Sequence, residues 1–314
     1  AHIGILYWIT FVVVQYGSLP LTFGLAVMVL LSSYLSLFTA CFALVVVWMR
    51  GRGTPFILSA PIVWTLLEYT RSHLFTGFPW AHLAHSQYSV SFIIQIADIT
   101  GTYGITFTLV FLNSVLTDMV SHHRTGRTRL FAESTIAVLL LAAILFYGYV
   151  RIHDMDALLK NARGIDVLLV QGNIDQNLKW NPRYQLQTLD VYRSLSLNQP
   201  LSQKGLIVWP ETAAPFYFQQ LDALHEAVVN IAITSGSALL FGSPSYQREG
   251  MQISYRNSAY LLNPDGNLSG RYDKVHLVPY GEYVPLRTFF PFVNKLVVGV
   301  GDFSPGKGYY PLQT

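Results

Sequence analysis

The chain has 314 residues, of which 52% are hydrophobic and only 12% charged. A soluble domain carries about 25% charged residues, so the balance marks a membrane protein. The formal net charge of +3 comes without a long basic run, which argues against a nucleic-acid partner, and a lone cysteine, Cys41, excludes an intrachain disulfide.

The charge is unevenly spread. Residues 1–150 hold long apolar runs, predicted to form a transmembrane helical domain of about five spans, and residues 151–314 read as a globular domain. The spans are predicted near residues 1–17, 20–49, 55–70, 92–120 and 130–150. About 20 apolar residues cross the hydrocarbon core. The second span exceeds that length and should tilt or protrude, whereas the third is short and carries Glu68 near its end.

Orientation follows from the short loops, because cytoplasmic loops retain the excess of Lys and Arg. Arg50 and Arg52 follow the second span, and Arg124, Arg127 and Arg129 follow the fourth. The intervening segment, residues 71–91, contains only Arg71. The two basic loops therefore face the cytoplasm, and the fifth span delivers everything after Arg151 to the opposite side.

The loop between the third and fourth spans contains Thr76-Gly77-Phe78-Pro79-Trp80. It is aromatic, and its Gly and Pro break any helix. It reads either as an interfacial belt at headgroup level or as a lipid-facing wall beside a site at the membrane surface. Glu68 and Arg71, spaced i, i+3, are placed to pair. Asp98 is expected at a helix start or interface. His82 and His85 have no further His, Cys or acid arranged with them, and no metal is expected.

In the globular half, residues 165–172 and 206–209 read as buried strands, with a helix expected over 183–198 and another over 221–233. A third strand is predicted over 238–242, then a hairpin of 257–262 and 268–272 around Asn263-Pro264-Asp265-Gly266. Strands alternating with helices indicate an α/β layer fold. Glu211 follows the second strand at its carboxyl end, where open α/β sheets place their ligands. Lys274, His276 and Glu282 are embedded in an apolar, proline-containing stretch that suits a rigid, charged loop.

A buried acid beside a lysine suits general-base catalysis, with the ammonium stabilising the oxyanion of a tetrahedral intermediate. The alternative is a structural Glu–Lys ion pair holding two loops. Such a catalytic site still needs a nucleophile. Cys41 lies in a membrane span ending at the cytoplasmic side and is expected to be a packing residue. No Gly-x-Ser-x-Gly elbow is present, and His276 has no evident serine partner.

The stretches Val208-Trp209-Pro210-Glu211-Thr212-Ala213-Ala214-Pro215 and Tyr272-Asp273-Lys274-Val275-His276-Leu277-Val278-Pro279-Tyr280-Gly281-Glu282 resemble the nitrilase, or carbon–nitrogen hydrolase, superfamily. Thr76-Gly77-Phe78-Pro79-Trp80, Val170-Gln171-Gly172-Asn173-Ile174 and Leu178-Lys179-Trp180 narrow the resemblance to the bacterial apolipoprotein N-acyltransferases.

The resemblance implies a multispan helical membrane domain joined to an α/β nitrilase-like (αββα sandwich) extramembrane domain in the bacterial inner membrane, with the latter domain periplasmic. It implies Glu211 as general base, Lys274 as oxyanion stabiliser, Glu282 as a supporting glutamate and Trp180 near the substrate entrance. Phe78 and Trp80 would help to accommodate lipid. No cofactor is implied.

The family's reaction takes an acyl chain from a phospholipid donor onto a cysteine as a thioester. It then passes the chain to the α-amine of a diacylated apolipoprotein at the bilayer. The family's cysteine would fall beyond Thr314, with two further spans before Ala1 and one after the nitrilase half. Residues 1–314 therefore read as a fragment with an incomplete nitrilase-like domain, expected to be inactive alone. The competing readings are a membrane-anchored nitrilase-type amidase and a non-catalytic membrane scaffold. A transporter fits less well, because few charges lie within the spans.

Overall fold

The structure is a computed structural model that describes residues 1–17, 19–121, 126–198, 201, 205–279, 281–283 and 302–313. The chain divides into two compact units. One comprises Ala1–Thr10 and Thr22–Ala162; the other comprises Phe11–Leu21 and Arg163–Thr314.

The first unit is helical. The short α1 (His2–Leu6) and α2 (Trp8–Gln15), the latter counted with the second unit from Phe11 on, precede α3 (Leu21–Gly51) and α4 (Phe56–His73). After two 3₁₀ turns come α5 (Ser91–Ile94), α6 (Ala97–Val120) and α7 (Arg127–Asn161). Among the described residues, α3, α6 and α7 are long and apolar enough to cross a membrane, at 31, 24 and 35 residues. At 1.5 Å per residue each exceeds the roughly 30 Å hydrocarbon core. Only 17% of the most apolar window is buried in α3 and in α7. Leucines and valines facing outward along such helices are stable against lipid, where the hydrophobic effect exacts no penalty for them. The chain is a membrane protein.

Small residues and polar partners set the helix contacts. Ile57 of α4, Phe111 and Val115 of α6 and Ala137 of α7 form a buried cluster. Gly148 of α7 lies against the Phe92 backbone at α5, an approach that any side chain would block. Glu68 and Arg71 are both buried and pair at 3.7 Å. The Glu68 carboxylate also accepts from Thr106 Oγ1 at 2.6 Å and Leu83 N at 3.1 Å, which satisfies a charge that burial would otherwise penalise. Asp98 stands in the first turn of α6 and accepts from Tyr147 and Arg151 of α7. Its two expected roles, helix start and interface, coincide.

Cys41 corrects an expectation. It is exposed on α3 rather than packed, because the buried positions of that helix (Gly24, Met28, Ser32, Leu35 and Val46) follow a stripe that Cys41 does not join.

The second unit holds a five-stranded sheet in the order β1-β2-β3-β4-β5. The strands are β1 (Val167–Leu169), β2 (Leu206–Val208), β3 (Ala238–Glu249), β4 (Gln252–Leu262) and β5 (Leu268–Asp273). The first three run parallel and the last three pair antiparallel. The crossovers contain α8 (Gln176–Lys179), α9 (Gln185–Leu197) and α10 (Ala223–Ser235). Asp222 caps α10 by accepting from Leu224 N and His225 N, and left-handed Gly236 ends it.

Leu239 and Phe241 of β3, with Tyr260 and Leu262 of β4, point to one face of the sheet. There they form a core with Leu189 and Tyr192 of α9 and Val228, Ile231 and Ala232 of α10. The described residues thus form one helix layer on one sheet layer.

Strands β3 and β4 are longer than expected. The sequence reading ended the third strand at residue 242 and opened the hairpin at 257, whereas pairing continues out to Glu249 and Gln252. The added segment is polar, and its strand state is held by cross-strand hydrogen bonds rather than by apolar alternation.

Candidate active site

The site is built where the chain leaves β2. Trp209 N donates to Leu240 O at 2.8 Å, extending the ladder by one residue before Pro210 ends it. Glu211 follows on a tight loop, and Thr212 adopts a φ of 53°, a left-handed conformation that a β-branched residue rarely takes. Two contacts hold this loop. Ala214 N donates to Gly242 O at 3.0 Å, and Gly242 has no side chain to separate β3 from the Glu211 backbone.

The second contributor is the end of β5. Lys274 N donates to Asn257 O and Gly306 N to Lys274 O, fixing the lysine's backbone from both sides. Beside it, Asp273 is buried and accepts from Ser258 Oγ at 2.7 Å and from Arg256 at 3.3 Å, tying β4 to β5 under the site. The third contributor is the loop reaching Glu282, where Phe303 N donates to Glu282 O at 2.9 Å.

These elements bring the predicted catalytic residues together. Lys274 Nζ lies 3.0 Å from Glu211 Oε1 and 3.0 Å from Glu282 Oε2. Burial opposes the Lys274 charge, but its hydrogen bonds to Glu282 and Glu211 outweigh burial and hold its pKa above the ordinary lysine value. The two glutamates differ in environment. Glu282 is buried, and its Oε2 accepts Val278 N at 2.7 Å; the Glu211 side chain is 61% exposed. The expectation of a buried acid is therefore met by Glu282 and not by Glu211. Glu211 lies three residues past the strand end, where its backbone rests on Gly242 of β3 and its side chain stays open to solvent.

Sequence reasoning missed Asn257. Its Nδ2 donates to Glu211 Oε1 at 2.5 Å and to Glu282 Oε1 at 2.7 Å, so one amide bridges the two carboxylates. The sequence shows only the polar run Arg256-Asn257-Ser258; that all three are buried within a strand is a property of the structure. Lys179 stands out in the sequence only as part of Leu178-Lys179-Trp180. It too lines the site, its Nζ donating to Glu211 O at 3.3 Å, and burial lowers its pKa, with the Glu211 charge partly offsetting this.

A cavity of about 310 Å³ opens here, lined among others by Lys179, Trp180, Glu211, Asn257, Lys274 and Glu282. Trp180 is half-buried in its wall. Phe78 and Trp80 belong to the helical unit, where Trp80 packs on Trp8 at a ring separation of 5.2 Å and on Phe78 at 6.4 Å. A carboxylate that can take a proton, touching an ammonium with three N–H donors, has the parts for acyl chemistry through a tetrahedral intermediate.

The fold and site define the class. Residues 167–306 match the carbon-nitrogen hydrolase family, so the second unit is a nitrilase-like domain carried in one chain with membrane helices. Residues 1–115 match the apolipoprotein N-acyltransferase N-terminal domain. The chain is 42% identical to the apolipoprotein N-acyltransferase of Geobacter metallireducens, over 100% of its own length and 60% of the relative's. It is 30% identical to that of Haemophilus influenzae, over 97% of its length and 58% of the relative's. An amidase of known structure from Nesterenkonia sp. aligns with a TM-score of 0.32 and 22% identity, covering 49% of this chain and 53% of the amidase.

The chain belongs to the apolipoprotein N-acyltransferase family. It spans about 60% of the length of the curated relatives it matches.

Proposed function

We propose that the protein containing this chain transfers a fatty acyl group from a phospholipid to the N-terminal amine of a diacylglyceryl-cysteine lipoprotein, through a cysteine thioester. The observation that carries this reading is the Lys274 ammonium held 3.0 Å from both Glu211 and Glu282 beside an open cavity. Glu211, exposed to that cavity, takes the thiol proton and later returns a proton to the leaving group. Lys274 stabilises the oxyanion of each tetrahedral intermediate. Buried Glu282 and Asn257 hold the ammonium and the base in register, and Trp180 walls the entrance.

Cys41, the only cysteine of the chain, lies on α3 of the helical unit. The thiolate is therefore assigned to a cysteine outside residues 1–314. Phe78 and Trp80 are assigned to the accommodation of lipid. The substrates keep their acyl chains in the bilayer, which suits a catalytic domain carried on membrane helices.

The same reading sets the domain on the periplasmic face of the bacterial inner membrane. Arg50 and Arg52 on one side of the spans, with Arg127 and Arg129 in the next basic loop, support this orientation. Alkaline phosphatase fused after Arg163 should be active, and a fusion after Arg52 silent; the reverse pattern would overturn the orientation.

The chemical test is Glu211→Gln in the full-length protein, with acyl-enzyme read by mass spectrometry after incubation with phospholipid. The thioester should not accumulate. Build-up at the normal rate would remove Glu211 from the role of base. Release of ammonia from a small amide without any fatty acyl adduct from phospholipid would favour the amidase reading instead.

A further inference from the structure

The cavity contains a second lysine that the base–oxyanion pair does not use. Lys179 ends α8, one residue before Trp180, and its Nζ donates to the backbone oxygen of Glu211 at 3.3 Å, near the long end of the hydrogen-bond range. A carbonyl accepts a hydrogen bond but cancels no charge. Lys274, by contrast, sits between two carboxylates in direct contact.

The charges of the site then decide what each lysine is for. Glu211, Lys274 and Glu282 together carry one net negative charge, which disfavours entry of any anionic substrate. Lys179 brings the cavity to neutrality, from a position on its wall and outside the ion-paired cluster. The cost of burying it, seen in its lowered pKa, is relieved once an anion arrives.

We propose that Lys179 binds the phosphate of the acyl donor, so that a phosphate-bearing lipid is oriented with its ester carbonyl toward Lys274. The proposal rests on the acyl-transfer reading above and adds the group that recognises the donor. In a glycerophospholipid only the glycerol backbone separates the phosphate from the nearest acyl ester. A donor whose ester reaches Lys274 therefore brings its phosphate to the wall of the same cavity. The acceptor presents an amine and no phosphate, so Lys179 acts in the first half-reaction and discriminates donor from acceptor.

The test uses the full-length enzyme with Lys179→Met and Lys179→Arg. Acyl-enzyme formation is followed with a phospholipid and with the 4-nitrophenyl ester of the same fatty acid, which has no phosphate. Lys179→Met should lower kcat/KM for the phospholipid at least about tenfold more than for the neutral ester, chiefly through KM. Lys179→Arg should restore most of that ratio, because the charge is kept.

Equal losses on both donors would overturn the proposal and assign Lys179 to holding the Glu211 loop. No loss on either donor would overturn it as well. Failure of the wild-type enzyme to form an acyl-enzyme from any donor would instead overturn the acyl-transfer reading, a result separable from the other two.

Discussion

Gly242 of β3 lies directly beneath Glu211: a Cβ on this glycine would stand 2.8 Å from the Glu211 Cα. Real Cβ atoms do not tolerate such contacts, so Glu211, the proposed base, is where it is because residue 242 has no side chain. Gly242→Ala should lift the Glu211–Thr212 loop and slow acyl-enzyme formation about 10²-fold, the scale expected when a catalytic group moves by an ångström. The overpacking itself should cost about 1–3 kcal/mol of stability. Gly164→Ala, where a Cβ would meet nothing within 4 Å, is the control. Equal rates in the two variants would show that the close approach does not position the base.

Asn257 offers a second handle on the same geometry, since its amide donates to both carboxylates. Asn257→Leu leaves the buried Glu282 carboxylate short of a donor, at a cost of about 1–3 kcal/mol. Asn257→Asp replaces the donor with a third acid and should impair turnover more strongly at neutral pH. Activity of the Asp variant should recover partly on acidification, as the added carboxyl protonates and becomes a donor again. A pH–rate profile parallel to that of the wild type would argue against the bridging role.

The two lysines of the site shift in opposite directions, and the signs can be separated. Lys274 binds its proton more tightly folded than unfolded. Its contribution to stability is therefore complete below the unfolded pKa of about 10.4 and is lost as pH rises through the higher folded value. Lys179 binds its proton less tightly when folded. Its unfavourable contribution is present at neutral pH and fades as pH rises through the lowered folded value toward about 10.4. Thermal unfolding of Lys274→Met and Lys179→Met against the wild type would read this as two gaps. The Lys274 gap should narrow only above pH about 10.4, and the Lys179 gap should change only below it. Gaps that move together with pH would contradict the assignment.

Within the helical unit, the Glu68 carboxylate depends on Thr106 Oγ1 at 2.6 Å. Thr106→Val keeps the shape and removes the donor, so unfolding in detergent should show a loss of about 1–3 kcal/mol. The double variant Thr106→Val with Glu68→Leu should be less stable still, because removing Glu68 leaves the buried Arg71 guanidinium without its ion-pair partner. A silent Thr106→Val would mean that this hydrogen bond contributes nothing net.

How legible the protein was in its sequence differs between its parts for physical reasons. Helices α3, α6 and α7 were readable because burial in lipid demands long apolar runs, a local property of composition. The parallel strands β1 and β2 were readable from short aliphatic runs, although β1, at the sheet edge, is shorter than expected and largely exposed rather than buried. The β4–β5 turn was readable from Asn263-Pro264-Asp265-Gly266, whose Gly266 adopts a φ of 82°. The polar extension joining β3 to β4 was not. Its pairing, Gln247 opposite Ser254 across a local turn at Gly250, is written in cross-strand hydrogen bonds and not in a hydrophobic period.

The same division runs through the site. Glu211, Lys274 and Glu282 stand out in sequence because each charge sits among aliphatic, aromatic and proline residues. That local contrast determined which residues to suspect, and the apolar spans determined that the chain enters a membrane. Only the tertiary structure decided that Asn257 spans the two glutamates, that Glu282 and not Glu211 is the buried acid, and that Lys179 enters the cavity. Those facts depend on strands and loops separated by tens of residues meeting within hydrogen-bond distance. A chain's local pattern carries no record of such distances until the sheet has set them.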